Sequence, residues 1–240
     1  AGDRAAALAA ALAAQALAGE RGAAREGQLA LVSSAEVLAE EGRAADARAL
    51  LVEALRKAEV VAPEGDLVCE VKNRLALGAR ARGDLGEASR LATDAAWIAS
   101  RIGDHGEVGL SLRILGESAW ETGRPEVGLR LLRKSTEALA LTSEVLQETL
   151  SRIRLAAVLV EDANLPGHDG SSSASEAIEI LEPVWDRLAR LDLIALAPEF
   201  AETHARALLA RGDLEGALRT LDRGLSYLES AGRSDARQQL

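Results

Sequence analysis

Few side chains in this 240-residue sequence are suited to covalent or acid–base chemistry, and their spacing limits what they could do. There are three histidines, His105, His168 and His204, and one cysteine, Cys69. No histidine has a Cys or carboxylate partner at the spacing of a zinc site, so no metal is expected. The segment "GHDG" (167–170) sets His168 beside Asp169, but within a Gly- and Ser-rich stretch that would not hold a base in position. His204 precedes a small residue at a packing position and is expected as a core or groove histidine rather than a base. Cys69 is expected to be a small buried apolar group. As the only cysteine it permits no internal disulfide, which fits a reducing, cytoplasmic compartment. No phosphate-binding loop, nucleotide fingerprint or nucleophile elbow is present. The expectation is a protein without catalytic residues, metal or cofactor, and not an enzyme.

A second group of side chains suits recognition rather than reaction. Asn73, Leu77 and Arg80 recur about one structural period later as Arg113, Glu117 and Trp120, and Glu199 and Glu202 take up corresponding offsets further on. Asn and Arg can hydrogen-bond the carboxylates and backbone carbonyls of an extended peptide, and Trp can anchor it. The arginines at one end and the glutamates at the other would give such a peptide one preferred direction. The alternative is a row of solvated residues with Trp120 in a core. Either way, these residues act together only if the elements carrying them repeat, and the rest of the sequence bears on that.

Ala and Leu dominate the 48% hydrophobic fraction, while Phe and Tyr occur once each and Met is absent. That composition favours helix over sheet. The formal charge is −10 and the basic residues are scattered, so there is no positive stripe for a nucleic acid backbone. No run of 18 apolar residues could span a membrane. The segment "AAALAAALAAQALA" (5–18) has the look of a signal-peptide core, but Asp3–Arg4 before it is not a positive leader, and the segment fits the helical register described next.

The phrase "ARGDLGEASRL" (81–91) returns as "ARGDLEGALRT" (210–220), and the turn glycines Gly42, Gly83, Gly123 and Gly212 are separated by 41, 40 and 89 residues. The last gap is two periods plus about the length of "NLPGHDGSSS" (164–173), which is expected to be an inserted mobile loop. Gly22, Gly103 and Gly232 fall 20 residues after Gly2, Gly83 and Gly212, dividing each period into two helices. Small residues recur at fixed offsets from the turn glycines. Ala35, Ala76, Gly116 and Ala205 stand seven before; Ala47, Ala88, Gly128 and Ala217 stand five after; Ala54, Ala95, Ser135 and Gly224 stand twelve after. Antiparallel helices need such positions to approach closely. Trp97 and Trp185, on second helices, are expected in the core.

This pattern, clearest in "LGESAWETGRPEVGLRLLRKS" (115–135) and "ARGDLGEASRLATDAA" (81–96), resembles the tetratricopeptide repeat (TPR) over nearly the whole chain. Its period of about 40 is similar to the long-helix variant of large bacterial signalling and transcription-activating proteins and some eukaryotic adaptors. The resemblance implies an all-α fold, a right-handed superhelical solenoid of antiparallel helix pairs near 23–61, 66–102, 105–142, 144–190 and 192–231, preceded by a half-repeat at 3–19. Residues 232–240 read as the start of another repeat, and the missing initiator Met as a segment cut from a longer protein. The first helix of each pair would line a concave groove that takes a protein or peptide. The implied role is a sensor or scaffold segment of a larger bacterial regulator, without direct nucleic acid or membrane binding. A structural spacer or a module that self-associates through the solenoid ends is the rival reading, and a helical enzyme a further one.

Overall fold

The computed structural model describes residues 4–21, 23–165, 170–191 and 193–238. Twelve α-helices follow one another: α1 (Arg4–Arg21), α2 (Ala24–Glu40), α3 (Ala44–Val61), α4 (Asp66–Ala81), α5 (Leu85–Ile102), α6 (His105–Glu121), α7 (Pro125–Leu139), α8 (Val145–Ala163), α9 (Ser171–Leu181), α10 (Val184–Arg190), α11 (Ala197–Ala210) and α12 (Leu214–Gln238). A short 3₁₀ turn, Ile194–Leu196, precedes α11, and no strand occurs among the described residues.

The repeated phrase is a device for ending one helix and starting the next. Gly42, Gly83, Gly123 and Gly212 all have φ between +74° and +81°, a left-handed conformation that costs other residues a Cβ clash. At Gly83 the chain bends so that Asp84 N donates to Ala79 O at 3.0 Å and Gly83 N to Arg80 O at 2.8 Å. Arg43, Arg124 and Asp213 make the equivalent bonds to Leu38, Ala119 and Leu208. These bonds use carbonyls left over at the helix end. Where Asp follows the glycine it caps the next helix: the Asp84 carboxylate accepts from Glu87 N and the Asp213 carboxylate from Gly216 N. Gly103 and Asp104 repeat both moves.

The second glycine series does not hold throughout. Gly232 lies inside α12, which continues to Gln238, so the helix expected to end near 231 does not turn there. Gly2 and Gly22 are outside the described residues, as are His168 and most of "LPGHDG". Ser171–Ser173, expected in the mobile loop, form the first turn of α9. Ala174, Ala177, Ile178 and Leu181 make a helical face that is buried, and Ser173 Oγ donates to Asp162 at 2.7 Å; together they draw the serines into the helix. The second helix of this pair is broken at Pro183, which has no N–H to continue the α9 hydrogen bonds, and α10 starts afresh after it.

Two compact units divide the chain, residues 1–118 and 119–240, with α6 running through the division. The first has its core in Leu31, Val32, Leu51, Val68, Val71, Leu91, Ile98 and Ile114. The second is built on Leu132, Ile153, Leu159, Leu181, Leu188 and Phe200, whose ring meets Trp185 edge-on at 4.7 Å. All twelve small residues at the fixed offsets are buried. Where α11 and α12 cross, a Cβ on Gly224 would come within 2.8 Å of Ala201 Cβ. The backbone separation is therefore set by residues with little or no side chain.

Trp97 departs from expectation. It is 53% exposed and stacks under the Arg101 guanidinium at 4.6 Å. The inner face of α5 is taken by Ala92, Ala95 and Ala99, and an indole two residues from Ala95 points to the opposite side.

Replacing Ala95 by Leu should therefore destabilise the protein by about 1–3 kcal/mol, because the added carbons have no room without moving a helix. Ser100→Leu, on the exposed side of the same helix, should change stability by about 0.5 kcal/mol or less. Urea denaturation of both variants checks this.

Candidate partner-binding face

In the first unit the first helices of successive pairs, α2, α4 and α6, are joined by polar side chains about one repeat apart. Arg25 grips Asp66 with two hydrogen bonds, at 2.9 and 2.6 Å. Arg74 donates to Glu36 at 2.7 Å and lies 3.9 Å from Glu70. Asn73 donates to the Glu107 carboxylate at 2.7 Å and to its carbonyl at 3.1 Å, and accepts from Ser111 Oγ at 2.8 Å. Arg80 pairs with Glu117 at 2.5 Å. Helical geometry accounts for the order, since residues 66, 70, 73, 74, 77 and 80 lie on neighbouring turns of one side of α4.

These carboxyls do not share one environment. Burial pushes the Glu107 carboxyl up to about 7, against the opposing effect of the Asn73 hydrogen bond and the Arg74 charge; Glu70 and Asp104 add to the rise. Burial also raises Glu70, partly offset by Arg74. Asp66 moves the other way, held below the usual range by its hydrogen bond from Arg25. The face thus mixes fixed ion pairs with carboxyls that give up their protons reluctantly.

Each residue singled out from sequence has a definite place. Asn73 is fully buried and ties α4 to α6. Leu77 packs half-buried against the core. Arg80 keeps a quarter of its side chain exposed beside the buried Glu117, and Arg113 is itself buried. In the second unit Trp120 packs against the core and donates its indole N–H to Glu161 at 2.6 Å. Glu199 pairs with Arg154 on α8 at 3.0 Å, and Glu202 stays exposed, 3.9 Å from Arg206. The structure therefore joins Arg80 to Glu117 and gives Asn73, Trp120 and Glu199 partners that were not singled out. Of the charges expected to polarise a groove, Arg80, Glu199 and Glu202 meet opposite charges within the chain, and Arg113 is buried. Glu36, Arg74, Glu107, Arg154 and Glu161 were missed. The signal for them is complementary residues one period apart, such as 36 with 74 and 120 with 161.

The reactive residues are muted. Cys69 is buried, with its thiol pushed up to about 12 by burial and by the nearby Glu107 and Asp104 carboxylates. His204 lies buried with its ring centroid 5.6 Å from that of Phe200, and burial lowers its pKa. Among the described residues no cluster of three His, Cys, Asp or Glu side chains could hold a metal. No described helix is long and apolar enough to cross a membrane.

No protein-family model and no curated protein matches the chain. Solved structures do. BtubC (BKLC) from P. vanneervenii is similar over 97% of this chain and 93% of its own, with TM-score 0.69 and 16% identity. A putative kinesin light chain from Podosopora anserina, with nearly identical TPR-like repeats, is similar over 85% of this chain and 95% of its own, with TM-score 0.59 and 20% identity. The Rap protein in complex with competence and sporulation factor is similar over 89% of this chain and 66% of its own, with TM-score 0.55 and 14% identity. The chain has the all-α fold of TPR-like helical solenoids, the fold expected from its glycine and small-residue pattern.

Glu107 makes this face sensitive to pH. Its folded pKa lies above the value of about 4.5 for a free glutamate, so the folded state keeps a proton that the unfolded state has lost. Its contribution to stability is therefore full at low pH and falls as pH rises through about 7. Glu107→Gln, which keeps the oxygen that accepts from Asn73, should be more stable than the parent at pH 8 and no more stable at pH 4. Urea denaturation across that range checks this, and parallel pH profiles for the two proteins would contradict it.

Proposed function

We propose that this chain is a non-catalytic protein- or peptide-binding module, a sensor or scaffold segment of a larger bacterial regulatory protein working in the cytoplasm. The observation that carries the reading is the row of charged side chains across α2, α4 and α6: Arg25 with Asp66, Arg74 with both Glu36 and Glu70, and the partly exposed Arg80 over the buried Glu117. An extended peptide laid across these helices can exchange its own carboxylates and amides into such pairs, with Leu77 as an apolar contact. Asn73 and Arg113 act from beneath this face, Asn73 by bracing α4 and α6. Trp120, Glu199 and Glu202 are the contact residues of the second unit in the same reading. The muted Cys69 and His204 favour binding over catalysis. The Rap protein, which shares the fold, is complexed with competence and sporulation factor, and a comparable use is proposed for this chain.

Peptides selected from a random library against the whole chain test this reading. Arg74→Gln and Arg80→Gln should weaken a selected acidic peptide by about ten-fold each, as expected for loss of a charge-assisted hydrogen bond. Arg90→Gln, an exposed change on α5, should leave affinity unchanged. Fluorescence anisotropy reads the result once circular dichroism has shown each variant folded. Equal effects of all three, or no selectable peptide, would remove the basis for the proposal.

One observation favours the rival reading of a self-associating module. Leu214, Leu218, Leu221 and Leu225 of α12 are between 41% and 62% exposed and alternate at spacings of four and three, the seam of a coiled coil. Nine residues after their own turn glycines, Leu51, Ala92 and Leu132 are buried, whereas Leu221 is not. If this seam joins two copies, sedimentation should show a dimer that the double change Leu221→Glu and Leu225→Glu converts to monomer. A monomeric parent protein at micromolar concentration would exclude it.

A further inference from the structure

The first unit contains an open cavity of about 530 Å³ between α1, the start of α2 and the end of α3. Its size is within the roughly 300–1,000 Å³ range of small-molecule sites. One side is aliphatic, from Ala18, Ala24, Val60 and Val61. Val60 and Val61 are 80% and 70% exposed, an unusual state for paired β-branched residues at a helix end.

The polar lining of the cavity combines the amides of Gln15 and Gln28, which can donate to an anion, with the cationic side chains of Arg56 and Lys57. Gln28 lines it, is only 5% exposed, and has no hydrogen-bond partner among the described residues. Its amide therefore meets the cavity with its hydrogen-bonding capacity uncommitted to the described chain, and a ligand there can bond it. Arg56, also on the wall, is exposed and makes no ion pair among the described residues, while Lys57 beside it is engaged by Glu53 at 2.6 Å. The amino end of the 17-residue α2 opens here, and Ala23 at its cap position has no side chain to satisfy it. That end of a helix carries partial positive charge.

We propose that this cavity is a binding site for a small aliphatic carboxylate. The carboxylate accepts from the Gln28 amide and Arg56 near the amino end of α2, and the hydrocarbon lies on Ala18, Val60 and Val61. A bare phosphate or sulfate would leave the apolar wall unused, and a neutral hydrocarbon would use neither Gln28 nor Arg56. The same chemistry could be supplied by a free fatty acid or by the carboxyl end of a peptide that finishes in an aliphatic residue. This site does not depend on the peptide-binding reading of the α2–α4–α6 face.

Titration calorimetry on the whole chain tests it, with octanoate, octanol, and N-acetyl-alanyl-leucine as the free acid and as the amide. Octanoate should bind and raise Tm, and octanol, with the same tail and no charge, should bind at least about ten-fold more weakly. Gln28→Glu, which is isosteric and adds a like charge, and Arg56→Gln should each weaken octanoate by about ten-fold or more. Arg101→Gln, on α5, should not. A dipeptide acid that outbinds octanoate assigns the site to chain ends, and the reverse order assigns it to free acids; its amide should not bind in either case. Absence of binding by both acids, or binding unchanged in both Gln28→Glu and Arg56→Gln, would overturn the proposal. Circular dichroism separates either result from a folding defect, since Arg56 is exposed and its change spares the core.

Discussion

The distance at which neighbouring helices can pack is the constraint on which the rest of this structure depends. Ala, Gly and Ser at twelve equivalent positions are buried, and at Gly224 even a methyl group would meet Ala201 at 2.8 Å. Close approach buries the larger side chains beside these positions, such as Leu91 and Ile98 in the first unit and Leu181 and Phe200 in the second. It also explains how so Ala-rich a chain sustains a core, because small residues exchange side-chain burial for dense contact between backbones. The aromatic rings in the core lie in the second unit, where Trp185 of α10 meets Phe200 and Trp120 packs nearby, while Trp97 on α5 stays outside the packed face.

Regular spacing has a consequence for polar groups. Helices held at one separation bring side chains about one period apart to within hydrogen-bond reach, and the chain uses this repeatedly: Arg25 to Asp66, Ser111 to Asn73, Trp120 to Glu161, Arg133 to Glu176, Tyr227 to the Leu188 carbonyl. Exposed pairs of this kind add little stability each. Their effect is register, since sliding one helix along its neighbour by a turn would put several of them out of reach together. A partner that binds across them competes for groups already correctly placed, which lowers the ordering cost of binding.

Much of this was legible in the sequence because turns and close packing leave local marks. A left-handed turn selects Gly and a helix start selects Asp, so Gly83–Asp84 and Gly212–Asp213 announce themselves. The exceptions are places where tertiary burial outweighs the local signal. Three serines suggest a loop, yet the apolar stripe from Ala174 to Leu181 carries them into α9; Gly232 suggests a turn, yet α12 continues past it. The candidate face was only partly legible. Helix offsets put Arg80 and Glu117 on the corresponding face of successive first helices, where they pair, but whether a residue such as Asn73 faces solvent or a neighbouring helix depends on the crossing of α4 and α6, which no local pattern encodes.

The claim that the first helices form the binding face has a direct test in hydrogen–deuterium exchange of the whole chain, with and without a selected peptide. Binding at this face should slow exchange in α2 and α4 while leaving the outer turns of α3 and α5 unchanged. Protection confined to α3 and α5, with α2 and α4 exchanging as they do in the free protein, would contradict the account.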